Sequence, residues 1–309
     1  MHKTDPLVSI ICISHNHEKF VCEALDSVIG QTYLNIELVI LDDYSTDNSV
    51  QQIKEWIKKR NLNPIFIQNQ RRLGVTTSFN TAFRQSSGTY IVDLAADDIL
   101  LPNFVYEHII NFQNTQYTNP GVSYCNVEFV TENLEHSDYQ NHDKREFELM
   151  RRPTQGMIYK DIVRLSFFNP IGLMSKREVY EKLNGYDESL AFEDLDYWIR
   201  SSRHYEYIYV PKVLAQKRVL SFSLTTSIRN KTPYRKEMQA SFARVCEKIF
   251  HLNRTREEYI ALLPRIRLLC RWFIKSGNVK VILRLFFLYL RTCKKIFWSY
   301  GIKRKFKML

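Results

Sequence analysis

The chain has few cysteines, glycines and prolines, no long uninterrupted apolar run, and no acidic residue after Glu258. Its six cysteines, Cys12, Cys22, Cys125, Cys246, Cys270 and Cys293, are scattered with no C-x-x-C pair. That spacing excludes a zinc ribbon or a dithiol redox motif and fits reduced thiols better than a disulfide framework. Nine glycines and nine prolines in 309 residues, with a hydrophobic share of 45%, exclude collagen-like and disordered classes. The first apolar run, residues 7–13, follows a polar start and is too short for a signal segment. The most apolar stretch, residues 281–291, is interrupted by charge and too short to span a bilayer. The expected location is the cytoplasm, with peripheral association to the inner face of the cell membrane.

The missing acids skew the charge. Residues 230–309 hold 20 Lys/Arg against 4 Asp/Glu, whereas residues 1–229 hold 24 against 29. A slightly acidic front with a basic tail calls for an anionic partner. No nucleic-acid motif accompanies the charge, so nucleic acid is not the expected one. Residues 266–275 and 279–295 carry apolar side chains at helical spacing with Lys and Arg interleaved. Such segments fit interfacial helices on an anionic membrane surface. The alternative is a helical cap on the preceding domain with a solvated basic face.

The first hundred residues alternate strand and helix signals. Strands are expected over residues 8–13, 36–41, 65–67 and 90–94, with helices over 19–29, 47–59 and 76–85. Strands apolar on both faces and separated by single helices predict a mostly parallel α/β sheet flanked by helices. Ligands of such sheets bind beyond the carboxyl ends of the strands. Three loops there are polar: Ser14-His15-Asn16, Asp42-Asp43-Tyr44-Ser45 and Asp97-Asp98. One acidic pair alone is readily a helix cap. Two pairs at neighbouring strand ends repel each other unless a cation or donor groups lie between them.

Taken in order, the segments resemble the family 2 glycosyltransferases, which have the GT-A fold. The resemblance covers about residues 6–225. Pro6–Asn16 is similar to the family's opening strand, and Val39–Ser49 to its second strand and Asp-Asp-x-Ser-x-Asp loop. Leu73-Gly74-Val75 with Asn80 looks like its third helix. Leu94-Ala95-Ala96-Asp97-Asp98 falls at its metal-binding element, and Gly185-Tyr186-Asp187-Glu188 with Glu193-Asp194 at its turn and catalytic acid pair.

The resemblance implies an inverting transfer of a sugar from a nucleoside diphosphate, with UDP the expected nucleotide, to an acceptor hydroxyl. The membrane-seeking tail extends this to a lipid-linked saccharide in surface polysaccharide synthesis. Sheet signals stop at about Val219, which bounds a catalytic domain over residues 1–219, with a nucleotide-sugar half (1–100) and an acceptor half (101–219). A basic amphipathic helical region occupies 220–309. Asp194 is the implied general base, and Asp98 the metal ligand for Mn²⁺ or Mg²⁺, with Asp97 beside it. Asp43, His15, Ile13 and Ser14 are the implied nucleotide contacts, and Arg218, with Ser223, belongs to a loop over the diphosphate.

The chain departs from the pattern at two places. Ala95 stands where the first acid of the metal element is usual, and Phe79 where an Arg often precedes Asn80; Arg71 and Arg72 lie close by. A nucleotidyltransferase is disfavoured, because Ser14-His15-Asn16-His17 offers neither a Gly-rich phosphate loop nor a Lys. The other alternative is a non-catalytic, membrane-associated scaffold with the same fold.

Overall fold

The computed structural model describes residues 5–137, 155–165, 168–220, 234–274 and 277–305, with side chains as far as Trp298. Its β-branched runs become β1 (Val8–Ser14), β2 (Ile36–Asp42), β3 (Ile65–Gln68) and β4 (Tyr90–Ala95). Helices α1 (Val21–Ile29), α2 (Ser49–Arg60) and α3 (Val75–Gln85) connect them. These four strands pair in parallel, in the order β3-β2-β1-β4. Each ends one residue later than the sequence pattern suggested, because polar Ser14, Asp42 and Gln68 still hold a place in the ladder.

The second half completes the sheet. Short β5 (Ile99–Leu100), α4 (Phe104–Asn114) and long β6 (Pro120–Val130) come first. They are followed by α5 (Tyr159–Arg164), β7 (Leu173–Lys176) and α6 (Arg177–Leu183). Helix α7 (Asp194–Ser201) and strand β8 (Glu206–Arg218) close this part. β7 runs antiparallel to β4 and β6, and β8 runs parallel to β6, giving the order β3-β2-β1-β4-β7-β6-β8-β5. The expected mixed, mostly parallel sheet flanked by helices is present.

Side-chain alternation divides the core between the two faces of the sheet. Val8, Ile10 and Cys12 of β1 pack with Leu25, Ile53 and Phe104 on one side. Ile11 and Ile13 pack on the other with Phe79 and Tyr180. The same second cluster continues without a break into Ile249, Leu269 and Leu285. These belong to three C-terminal helices: α8 (Arg235–Leu252), α9 (Arg256–Ile274) and α10 (Val279–Lys305). Helix α9 extends back through Pro264, well before the segment expected at residue 266.

The basic helices are therefore core elements. Arg265 of α9 is buried and donates to the carbonyls of Ile162 and Val163 at the end of α5, with Nε 3.0 Å from the latter. Arg203, just after α7, donates through Nη1 to Glu258 at 2.8 Å. Among the described residues, no helix is long and apolar enough to cross a membrane.

Deleting buried methyl groups where the C-terminal helices meet the sheet domain should destabilise the whole protein. Leu285→Ala is expected to cost about 2–5 kcal/mol, as one cooperative loss in urea unfolding followed by far-UV dichroism. An unchanged midpoint would show that α10 unfolds independently of the remaining core.

Candidate active site

The register of the sheet brings three polar loops side by side. Ser14 pairs with Asp42, and Ile13 with Ala95, so the loops after β1, β2 and β4 leave from adjacent strand ends. The Asp43 N–H donates to the Ser14 carbonyl at 2.8 Å, and the Ala96 N–H to that of Ile13 at 3.0 Å. His15 Nδ1 lies 2.9 Å from the Asp43 carbonyl oxygen. Ile13, Ser14, His15, Asp43 and Asp97-Asp98 thus lie together at the adjacent ends of β1, β2 and β4. The Ser14 hydroxyl is buried with no hydrogen-bond partner among the described residues.

Asp43 also fixes the next loop. Its Oδ1 accepts from the Leu73 N–H at 2.8 Å and from Asn69 Nδ2 at 2.9 Å, and its Oδ2 from the Gly74 N–H at 2.8 Å. Burial alone would raise its carboxyl, but these donors hold it below the ordinary value. Gly74, at φ +86°, occupies backbone space that favours glycine. Arg71 and Arg72 stand exposed on the same loop.

The acidic pair after β4 is split by its surroundings. Asp98 is 1% exposed; its Oδ1 accepts from the Arg218 N–H at 3.0 Å and its Oδ2 from Lys217 Nζ at 3.1 Å. A cation placed directly on this carboxylate would have to displace Lys217. Asp97 is partly exposed, and no described donor bonds its carboxylate. The capping explanation of this pair also fails. Ile99 and Leu100 form β5 against β8, and α4 begins only at Phe104.

Arg218 is buried as well. Its Nη1 donates to the Asp97 carbonyl at 2.8 Å, its Nη2 to Glu23, and its guanidinium lies 4.9 Å from the Phe20 ring. The expected diphosphate contact is thus engaged with the protein's own groups, and Ser223 lies outside the described residues.

The second acidic pair enters from the opposite half. Glu193 stands at the N-cap position of α7 without a side-chain capping bond, and Asp194 is the helix's first residue, with Oδ1 2.5 Å from the Leu195 N–H. The turn before it is bound on two sides. Asn80 donates to the Tyr186 carbonyl and to Glu188 Oε1, both at 2.9 Å, and accepts the Tyr186 N–H at 2.8 Å. A Cβ on Gly185 would lie 2.3 Å from Asn80 Oδ1, so the tie requires a glycine there. Phe79 is fully buried 4.4 Å from the Tyr186 ring, a packing position rather than a charged one.

From the other side, α8 holds the same segment. Ser241 Oγ accepts the Ala191 N–H at 3.0 Å, Tyr234 donates to the Ala191 carbonyl at 2.6 Å, and Lys248 donates to Asp196 at 2.7 Å.

The charges interact across the crevice. Burial raises the Asp194 carboxyl above its ordinary value. Burial, then Asp194 and Asp93, push Glu193 up. Burial pushes Asp93 up to about 7, opposed by a 2.9 Å hydrogen bond from Tyr186. Lys217 keeps its proton because Asp98, Asp97 and Glu193 outweigh its own desolvation. This lysine was not anticipated from the sequence, where it is one of many cations. An excess of carboxylates needing a counter-charge was the available signal. Among the described residues, no three His, Cys, Asp or Glu side chains form a metal-holding group. One or two carboxylates completed by phosphate oxygens remain a suitable oxygen donor set for Mg²⁺ or Mn²⁺.

With this geometry in place, the family model for glycosyl transferase family 2 matches residues 9–183. The chain belongs to that family. This glycosyltransferase is 28% identical over 232 residues to an uncharacterized glycosyltransferase of Haemophilus influenzae, covering 73% of the present chain and 69% of its relative. Over 99 residues it is 37% identical to the Escherichia coli UDP-Glc:alpha-D-GlcNAc-diphosphoundecaprenol beta-1,3-glucosyltransferase WfgD, 32% of this chain and 38% of that one. Its fold matches the mannosyltransferase PcManGT of Pyrobaculum calidifontis, solved with GDP-Man and Mn²⁺. That match has a TM-score of 0.62 at 15% identity and covers 99% of this chain and 82% of the other. The glycosyltransferase thus has the GT-A fold.

Glu193 titrates well above the ordinary glutamate value of 4.5. A carboxyl raised by folding leaves the folded state holding more protons, so stability falls as pH rises through that window. Glu193→Gln removes this loss. The variant should gain thermal stability relative to wild type between pH 5 and about pH 8. Parallel melting curves across that range would mean that Glu193 is not strained by its neighbours.

Proposed function

We propose that the enzyme transfers a sugar, with inversion, from a nucleoside diphosphate sugar, UDP-linked by preference, to the hydroxyl of a lipid-linked saccharide. The support is the convergence on one crevice of Asp97-Asp98 and Glu193-Asp194, segments about a hundred residues apart, around the ammonium of Lys217.

In this reading Asp194 is the general base. Its raised basicity suits removal of a proton from the acceptor hydroxyl as the sugar carbon is attacked. Ile13, Ser14, His15 and Asp43 bind the nucleotide, with the unpartnered Ser14 hydroxyl available to it. Asp97 holds the divalent cation, because Asp98 is committed to Lys217 and the Arg218 N–H. The cation, when bound, offsets the charge of the leaving diphosphate. Arg218 keeps the Asp97 loop in place through its carbonyl and acts on the diphosphate only indirectly. The acceptor class draws support from the partial likeness to WfgD, whose name gives UDP-Glc as donor and a diphosphoundecaprenol-linked sugar as acceptor. The basic C-terminal region brings the enzyme to the inner membrane face where such acceptors reside, in surface polysaccharide synthesis.

Release of nucleoside diphosphate from a panel of nucleotide sugars, with Mn²⁺, Mg²⁺ or EDTA, tests the assignment. Asp194→Asn should lower kcat by about 100-fold or more while donor binding persists. Asp97→Ala should abolish the metal response with melting unchanged, whereas Asp98→Ala should melt earlier. The acid limb of wild-type kcat should lie above the ordinary aspartate value of 3.8. Full turnover by Asp194→Asn would sink the base assignment, and failure to bind any donor would favour a non-catalytic scaffold.

A further inference from the structure

Helix α10 is apolar on two opposite faces, and among the described residues one of them is packed against the core while the other is exposed. Val281, Leu285, Leu288 and Thr292 are buried against the rest of the molecule. On the far side Leu283, Phe286, Phe287, Leu290, Phe297 and Trp298 are between 47 and 74% exposed. At about 3.6 residues per turn, the intervals 283, 286, 287, 290, 297 and 298 fall on one stripe. Exposed Lys280 and Lys294 sit within the same stripe. The chain has thirteen Lys/Arg and no Asp/Glu after Glu258. A face presenting four Phe/Trp rings and two leucines on a helix without acids, whose Arg284 pairs with Glu247 of α8, is unusual for water-exposed surface.

We infer that this stripe docks on an anionic phospholipid leaflet, with Phe286, Phe287, Phe297 and Trp298 entering the interface and the lysines meeting lipid phosphate. Charge complementarity selects the occupant. A protein partner recognised by rings alone would not require the sustained absence of acids, whereas an anionic leaflet gains from each cation near its surface. The rings supply the apolar area and the lysines the attraction, while the opposite face keeps the helix fixed to the catalytic core. Docking through a helix integral to the fold holds the enzyme at one attitude to the membrane. The inference deepens the acceptor reading above, and its test reads lipid binding alone, so either can fail without the other.

The full-length protein is sedimented with vesicles of phosphatidylcholine alone or mixed with phosphatidylglycerol. Wild type should bind the mixed vesicles preferentially, less so at high salt, with a blue shift of Trp298 emission that Trp298→Phe removes. The combined Phe286→Ser, Phe287→Ser and Phe297→Ser variant should bind at least about tenfold more weakly at an unchanged melting temperature. Lys280→Gln with Lys294→Gln should erase the preference for phosphatidylglycerol. Equal binding by the serine variant, or equal binding of wild type to both vesicles, would overturn the inference. So would a dimer that the serine changes disperse in a protein binding neither vesicle, since a second copy would then cover the face.

Discussion

Asp98 joins the two halves of the molecule at the place where its chemistry is arranged. Its carboxylate, at the end of β4, accepts the Arg218 N–H and the Lys217 ammonium at the end of β8, some 120 residues later. Taking the Asp98 charge out of water costs several kcal/mol, which its two donors offset, although Lys217 itself stays 30% exposed. The pair therefore holds the β4 loop against β8. Arg218 extends the junction to Glu23 of α1 and to the Asp97 carbonyl. The exposure of Asp97 follows from the burial of its neighbour.

The acid pair on α7 depends on supports of a different kind. Asn80 and Gly185 interlock from the sheet side, and Ser241, Tyr234 and Lys248 hold the segment from α8. Neutral hydrogen bonds worth about 1 kcal/mol each, together with the Lys248–Asp196 ion pair, fix the turn whose Leu190, Ala191 and Phe192 enter the core. The basic region is consequently structural before it is anything else. One face of its helices completes the core beneath the site, which leaves the opposite face of α10 available at the surface.

Electrostatically the crevice is a concentration of carboxylates around one lysine. Burial pushes Asp93, Glu193 and Asp194 toward their protonated forms, and Asp194 and Asp93 add to the effect on Glu193. A site of this kind stores repulsion that a bound cation or donor relieves, which links ligand binding to stability. The raised basicity of Asp194 comes from its burial, whereas the inward turn of Asp98 comes from the donors that β8 presents to it.

The alternation of apolar runs and polar strand ends in residues 6–100 determined the parallel sheet and the clustering of Ser14, His15, Asp43 and Asp97-Asp98. These follow from local periodicity and from the rule that ligands meet the carboxyl ends of strands. Motif order placed Asn80 and Gly185 in one family pattern, and the fold shows why: they touch. Other features were invisible along the chain. Which of Asp97 and Asp98 turns inward is decided by β5 pairing with β8, a contact between distant segments. Lys217 and Arg218 acquire their roles from Asp98 and Glu23, neither of which is near in sequence. Helix α10 carries apolar residues on both sides, so its periodicity alone could not say which side packs. Local pattern is written in neighbouring residues, whereas burial and charge pairing depend on what the fold brings opposite them.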